Sequence, residues 1–212
     1  MPDIRPTDSD CLVVIDLQND FIPGGALAVP GGDTVVPVID DLLDRFDHVV
    51  ASQDWHPAGH FSFASAQPEV QPYDTIAAAY GPQTVWPDHC VQGTEGADFH
   101  PDFRIERAEL ILRKGYRREI DSYSAFFEND RETPTGLAGY LRERGFKRLF
   151  FCGLATDFCV RWSVEDAVKE GFDTVLIEDA CRAIDLDGSL NAALAAMDAA
   201  GAIRIASSEI AA

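Results

Sequence analysis

Positive charge is scarce in this 212-residue chain: 17 Lys and Arg face 36 Asp and Glu, for a formal charge of −19. Lysine occurs only as Lys114, Lys147 and Lys169. A balance of that sign repels polyanions, so neither nucleic acid nor an anionic membrane surface is an expected partner. Long apolar runs are missing as well, since none approaches the roughly 20 residues that span a bilayer. Met1 to Asp10 lack the basic and apolar regions of a signal peptide, so the expected location is cytoplasmic. Paired cysteine motifs are also absent. Cys11, Cys90, Cys152, Cys159 and Cys181 are odd in number, scattered, and form no C-x-x-C, which disfavours a disulfide framework or zinc ribbon.

What is present is a good core, with 46% hydrophobic residues. Short apolar runs at Val13–Ile15, His48–Ser52, Leu110–Leu112, Arg148–Cys152, Val175–Ile177 and Ala202–Ile205 read as strands. Helical spacing falls between them at Val35–Phe46, Leu137–Arg144, Asp157–Glu170 and Ser189–Ala199. Gly145, Gly171 and Gly201 stand where left-handed helix ends are expected. This alternation predicts an α/β fold with a parallel sheet and helices on both faces. No repeat or linker divides the chain, so residues 1–212 read as a single domain. Residues 53–109 stand out as a long irregular excursion rich in Pro, Gly, His and aromatics. Segments of that kind in a compact domain are usually functional.

The most informative stretch is Arg148 to Val160, a buried strand that breaks at Gly153 and turns into a helix carrying Cys159 in its first turn. Free N–H groups and the helix dipole there favour a thiolate and can hold an oxyanion. A lone cysteine is ordinarily a small core residue, a strand-end lysine is ordinarily solvated, and a strand-end aspartate often caps a turn. Asp16, Lys114 and Cys159 together are a stronger signal. They place a base, a cation and a thiol on the carboxyl edge of one sheet, where such folds bind ligands.

A second cluster comprises Asp54-Trp55-His56 and, later, Trp86-Pro87-Asp88-His89. A single histidine in an acidic protein is usually a turn cap or a carboxylate's partner. Asp54, His56 and His89 jointly suit one divalent metal with open positions, and zinc, iron(II) or manganese would each fit. His48 and His100 lie outside these motifs.

The two clusters resemble the nicotinamidase/pyrazinamidase branch of the isochorismatase-like cysteine hydrolases. The resemblance runs through Val14-Ile15-Asp16-Leu17-Gln18-Asn19-Asp20-Phe21, Gly24–Val29, Asp54-Trp55-His56-Pro57, His60–Ala64, Trp86–Thr94, Lys114-Gly115 and Gly153–Val160. It implies a three-layer α/β/α fold with a doubly wound, mainly parallel six-stranded sheet. Asp16, Lys114 and Cys159 would be catalytic, with the backbone N–H groups of Ala155 and Cys159 as oxyanion hole. Asp54, His56 and His89 would bind a metal, zinc first, with His60 as an optional further ligand. Phe21, Leu27, Trp86 and Tyr123 would line a ring pocket, and Leu154–Ala155 would be a cis peptide. The implied reaction is hydrolysis of nicotinamide to nicotinate and ammonia, a step of NAD salvage, with pyrazinamide also accepted. The implied partner is that small molecule alone, in a monomer or a homo-oligomer. Two other readings are a cousin hydrolase of the superfamily and a silent binding protein on the same fold.

Overall fold

The computed structural model describes residues 4–211. Its strands are β1 (Asp10–Ile15), β2 (Val49–Asp54), β3 (Thr75–Ala78), β4 (Gly81–Thr84), β5 (Leu110–Lys114), β6 (Arg148–Leu154), β7 (Asp173–Arg182) and β8 (Ile203–Ile205). The helices are α1 (Val36–Leu43), α2 (Leu137–Glu143), α3 (Arg161–Lys169) and α4 (Ser189–Ala200). Six strands form one parallel sheet in the order β5-β2-β1-β6-β7-β8. From β1 the chain moves outward through β2 to β5, then returns to the other side of β1 and continues through β6 to β8. Strand order runs in opposite directions on the two sides of β1, the doubly wound arrangement expected from the alternation.

The sheet core explains why the strands read as continuous apolar runs rather than alternating ones. Leu12, Val13, Val14 and Ile15 in β1 are all fully buried, as are Leu149, Phe150, Phe151 and Cys152 beside them in β6. Full burial of each such side chain contributes about 1.5–3 kcal/mol. Order reverses between β1 and β6, so a crevice opens beyond the carboxyl ends of these two strands.

Several boundaries differ from the sequence expectations. Apolar periodicity over Val35–Phe46 yields a shorter α1, preceded by a 3-10 turn over Gly32–Val35. β7 extends well past Val175–Ile177, because a bulge between Phe151 and Gly153 of β6 lets Cys181 and Arg182 rejoin the ladder. The helix expected from Asp157 to Glu170 begins instead as a π-turn, Thr156–Val160, and becomes α3 only at Arg161. Strand β6 does not stop at Gly153 but runs on to Leu154, and Leu154–Ala155 is cis. Gly153 has φ +114°, and a Cβ there would lie 2.1 Å from the Ile15 carbonyl oxygen. The close approach of β6 to β1 at the crevice therefore requires glycine.

The excursion is not wholly irregular. It holds the β3–β4 hairpin and short 3-10 turns at Ala64–Ala66, Glu95–Ala97 and Ile105–Arg107. The hairpin sequence Thr75-Ile76-Ala77-Ala78-Ala79-Tyr80-Gly81-Pro82 is poor in β-branched residues, so it carries little strand signal. Gly145, Gly171 and Gly201 all take positive φ, as expected at helix ends.

Candidate active site

Asp16 follows the last residue of β1 in the left-handed region, φ 47°, an uncommon conformation for a residue with a side chain. This bend turns its fully buried carboxylate across the crevice. The Ser52 hydroxyl of β2 donates to Asp16 Oδ1 at 2.7 Å. Oδ2 lies 2.8 Å from Lys114 Nζ in a buried ion pair and has no further hydrogen-bond donor among the described residues.

Lys114 ends β5 directly opposite Asp54 in the β2–β5 register. Its ammonium is fully buried and donates to Asp54 Oδ1 at 3.0 Å and to the Ser122 carbonyl at 2.9 Å. Cys159 Sγ stands 3.4 Å away. Burial alone would pull Lys114 down, but the Asp16 and Asp54 carboxylates hold it well above the usual lysine range. Burial works against ionised Asp54 too, yet His56, Lys114 and the histidine hydrogen bonds keep it well below the usual carboxylate range. Asp16 is pushed up by burial, which its pairing with Lys114 only partly offsets.

The thiol feels more than the helical turn it sits on. Burial raises Cys159 well above an ordinary cysteine; Lys114 counteracts, but Asp16 and Asp54 add to the rise. Burial leads this upward push and the two carboxylates add to it, so the surroundings favour the thiol form over the thiolate.

Asp54, His56 and His89 are all buried, and each offers a ligand atom within 4.8 Å of the others. His56 Nδ1 lies 2.9 Å from the Gly115 carbonyl and His89 Nδ1 lies 2.8 Å from the Pro87 carbonyl. A carbonyl only accepts, so both Nδ1 atoms carry a proton and each Nε2 is left to face Asp54, donating to it when the ring is charged and free to present a lone pair to a cation when the ring is neutral. The two Nε2 atoms converge on Asp54 Oδ2, at 3.1 Å from His56 and 3.5 Å from His89. Backbone-oriented imidazoles facing a carboxylate are the donor set of a divalent cation site. Charge agrees: Asp16 and Asp54 outnumber the single ammonium between them, and a cation would balance the excess.

His60 is different. Its Nε2 faces the Arg117 carbonyl at 2.9 Å, and its Nδ1 faces the Ser62 hydroxyl at 2.8 Å. Both ring nitrogens are thereby engaged, and His60 groups with His56 and Asp121 rather than with Asp54 and His89. The geometry does not bring the optional ligand into the first set.

A recess of about 330 Å³ opens over these groups. Phe21, Leu27, Trp86 and Tyr123 line it as expected, together with Asp54, His89 and Cys159. Asp121, Ala155, Phe158 and Ile184 also line it, and of these only Ala155 stood out in the sequence. Phe158 was legible in principle, as Cys159's neighbour in the nucleophile segment. Ile184 follows β7, and only the fold brings it here. Gln18 was missed as well: buried, it accepts the Asp54 N–H and donates to the Asp54 and Ala97 carbonyls, fixing the strand end that carries the carboxylate.

A buried thiol beside an ammonium that is paired with a carboxylate is an arrangement suited to a cysteine hydrolase. Comparison with known proteins narrows the class: the chain belongs to the isochorismatase family, whose domain matches residues 10–209. It is 52% identical to the nicotinamidase of Acinetobacter baylyi over 98% of this chain and 97% of that one. The solved structure of a nicotinamidase/pyrazinamidase from Acinetobacter baumanii superposes with a TM-score of 0.95 at 53% identity, covering 96% of this chain and 98% of that one. A pyrazinamidase of Pyrococcus horikoshii, solved in complex with zinc, gives a TM-score of 0.76 at 36% identity, covering 93% of this chain and 99% of that one.

Proposed function

We propose that this single-domain protein is a nicotinamidase, hydrolysing nicotinamide to nicotinate and ammonia as a step of NAD salvage in the cytoplasm, and that it also accepts pyrazinamide. The observation that carries the reading is one contact set. Lys114 bridges Asp16 to Asp54 and touches Cys159, so the thiol and the candidate metal ligands share one small aromatic recess. The near full-length likeness to a nicotinamidase supports the substrate.

Asp54, His56 and His89 would hold a divalent ion, zinc in our reading, which supplies a Lewis-acid anchor for a pyridine nitrogen. The recess then confines the flat ring between Phe21 and Trp86, with Leu27 and Tyr123 closing its edges, and sets the carboxamide carbon over Cys159. Asp16, with a free lone pair on Oδ2, takes the thiol proton as sulfur bonds to the carbonyl carbon. Lys114 stays protonated and offsets the charge that builds up. The backbone N–H groups of Ala155 and Cys159 receive the oxyanion, and losing one such donor costs about 3–4 kcal/mol. Asp16 returns its proton to the amide nitrogen, the C–N bond breaks, and ammonia leaves a thioester. Asp16 next deprotonates a water that attacks the same carbon. Collapse releases nicotinate, and the sulfur recovers its proton from Asp16.

Ammonia release from nicotinamide is the direct test. Metal-replete protein is expected to turn over, and Cys159→Ala to release none while keeping its metal. A wild-type protein that hydrolyses other amides but not nicotinamide would overturn the substrate assignment.

A further inference from the structure

Gln83, on the hairpin strand β4, is buried behind the residues that line the recess and sits at the centre of a polar network. The two hydrogens of its Nε2 are shared among three acceptors, Asp121 Oδ2 at 2.7 Å, the Thr84 carbonyl at 2.8 Å and the Tyr123 hydroxyl at 2.9 Å. Its Oε1 accepts from the Tyr80 hydroxyl at 2.8 Å and from Asn129 Nδ2 at 3.1 Å. A carboxylate and a carbonyl only accept, so the amide cannot be turned the other way. Asn129 is tied in twice, since its Oδ1 also accepts the Tyr123 backbone N–H at 2.9 Å. Tyr123 is thus gripped at its backbone by Asn129 and at its phenol by Gln83.

The phenol has a second tie. Trp86 Nε1 donates to the same Tyr123 oxygen at 3.1 Å, and the two rings stand at 83° with centroids 6.1 Å apart. Neither an amide nitrogen nor an indole nitrogen can accept, so both bonds run toward the phenol oxygen. That single atom locks Tyr123 and Trp86 into one wall. Behind the wall lies another recess, lined by Tyr80, Asn129, Arg131 and Trp162. Tyr123 lines both spaces, and this network holds it between them.

We propose that Gln83 is a positioning residue that fixes the Tyr123–Trp86 wall and thereby sets how large a ring the site admits. The proposal rests on the amidase reading above. Steady-state kinetics of the metal-loaded wild type, Gln83→Met, Tyr123→Phe and the double variant would test it, with nicotinamide and a ring-methylated nicotinamide as substrates. Gln83→Met is expected to raise KM for nicotinamide roughly three- to tenfold, the size of one or two lost hydrogen bonds. The kcat should change much less, and discrimination against the methylated ring should narrow. Tyr123→Phe should shift the same way, and the double variant should be no worse than the more affected single one. A fall in kcat alone, with KM and ring preference unmoved, would overturn the proposal, as would additive effects. Should Gln83→Met fail to fold, Tyr80→Phe removes one of the bonds that orient the amide. It should then give a smaller KM rise in the same direction, and an unchanged KM would overturn the proposal. Failure of the wild type on nicotinamide strikes the amidase reading and this proposal together; a normal wild type with additive variants strikes Gln83 alone.

Discussion

Asp54 and Lys114 stand side by side in the β2–β5 register, with Nζ 3.0 Å from Oδ1. Asp54 therefore serves two clusters, one oxygen facing the ammonium beside the thiol and the other facing the two imidazoles. Removing the ammonium should harm both stability and chemistry. Lys114→Met leaves two buried carboxylates without their shared counter-charge, a loss of about 3–5 kcal/mol by analogy with broken buried pairs. Urea unfolding of the metal-free protein would measure it, and the ammonia assay should show at least a hundredfold loss in kcat.

The histidines should separate cleanly by metal content. His89→Ala removes one of the two converging Nε2 atoms and should copurify with little divalent metal. His60→Gln should keep the wild-type metal-to-protein ratio, because both His60 nitrogens already face protein groups. Elemental analysis decides, and equal metal loss in the two variants would refute the division.

Gly115 has φ +66°, and a Cβ there would fall 2.5 Å from His56 Cε1 and 3.0 Å from Asp54 Oδ1. Its carbonyl also receives the His56 Nδ1 proton. Gly115→Ala should displace a ligand through its supporting partner and weaken metal affinity about 10- to 100-fold. Competition with a chromophoric chelator would read this directly.

Glu128 is buried, and burial raises its carboxyl above the usual range despite the nearby Ser122 and its pairing with Arg117. For an acid whose folded pKa exceeds its unfolded one, the folded state binds the proton more tightly. Stability is then gained as pH falls through the folded value toward the ordinary glutamate range, and it is lower at neutral pH. Glu128→Gln removes that dependence. Its stability relative to wild type should rise as pH increases from about 4.5 toward neutrality and then level off. Thermal melts of the two proteins across this range check the sign.

Much of the site was legible because its chemistry sits at strand ends. Val13-Val14-Ile15-Asp16 and Leu110-Ile111-Leu112-Arg113-Lys114 each announce a charge at the end of an apolar run, and parallel order sends such ends to one edge. Gln83 and Ile184 were not legible, because each lies in a segment without strong periodicity and meets the recess only through long-range packing. The upward push on the Cys159 thiol was hidden for a similar reason. It depends on how much water the fold removes and on two carboxylates from other strands.

The Arg148–Val160 stretch determined by itself that a strand would feed a helical turn bearing a thiol. Local propensity and the apolar run were enough, and the motifs around Asp54 and His89 already named a donor set. Tertiary structure alone decided that one ammonium would serve both clusters, that His60 would turn to backbone carbonyls, and that a hairpin glutamine would grip the pocket wall. Those outcomes depend on distances between residues some 40 to 60 positions apart in the chain, and sequence patterns report on neighbours within a few residues.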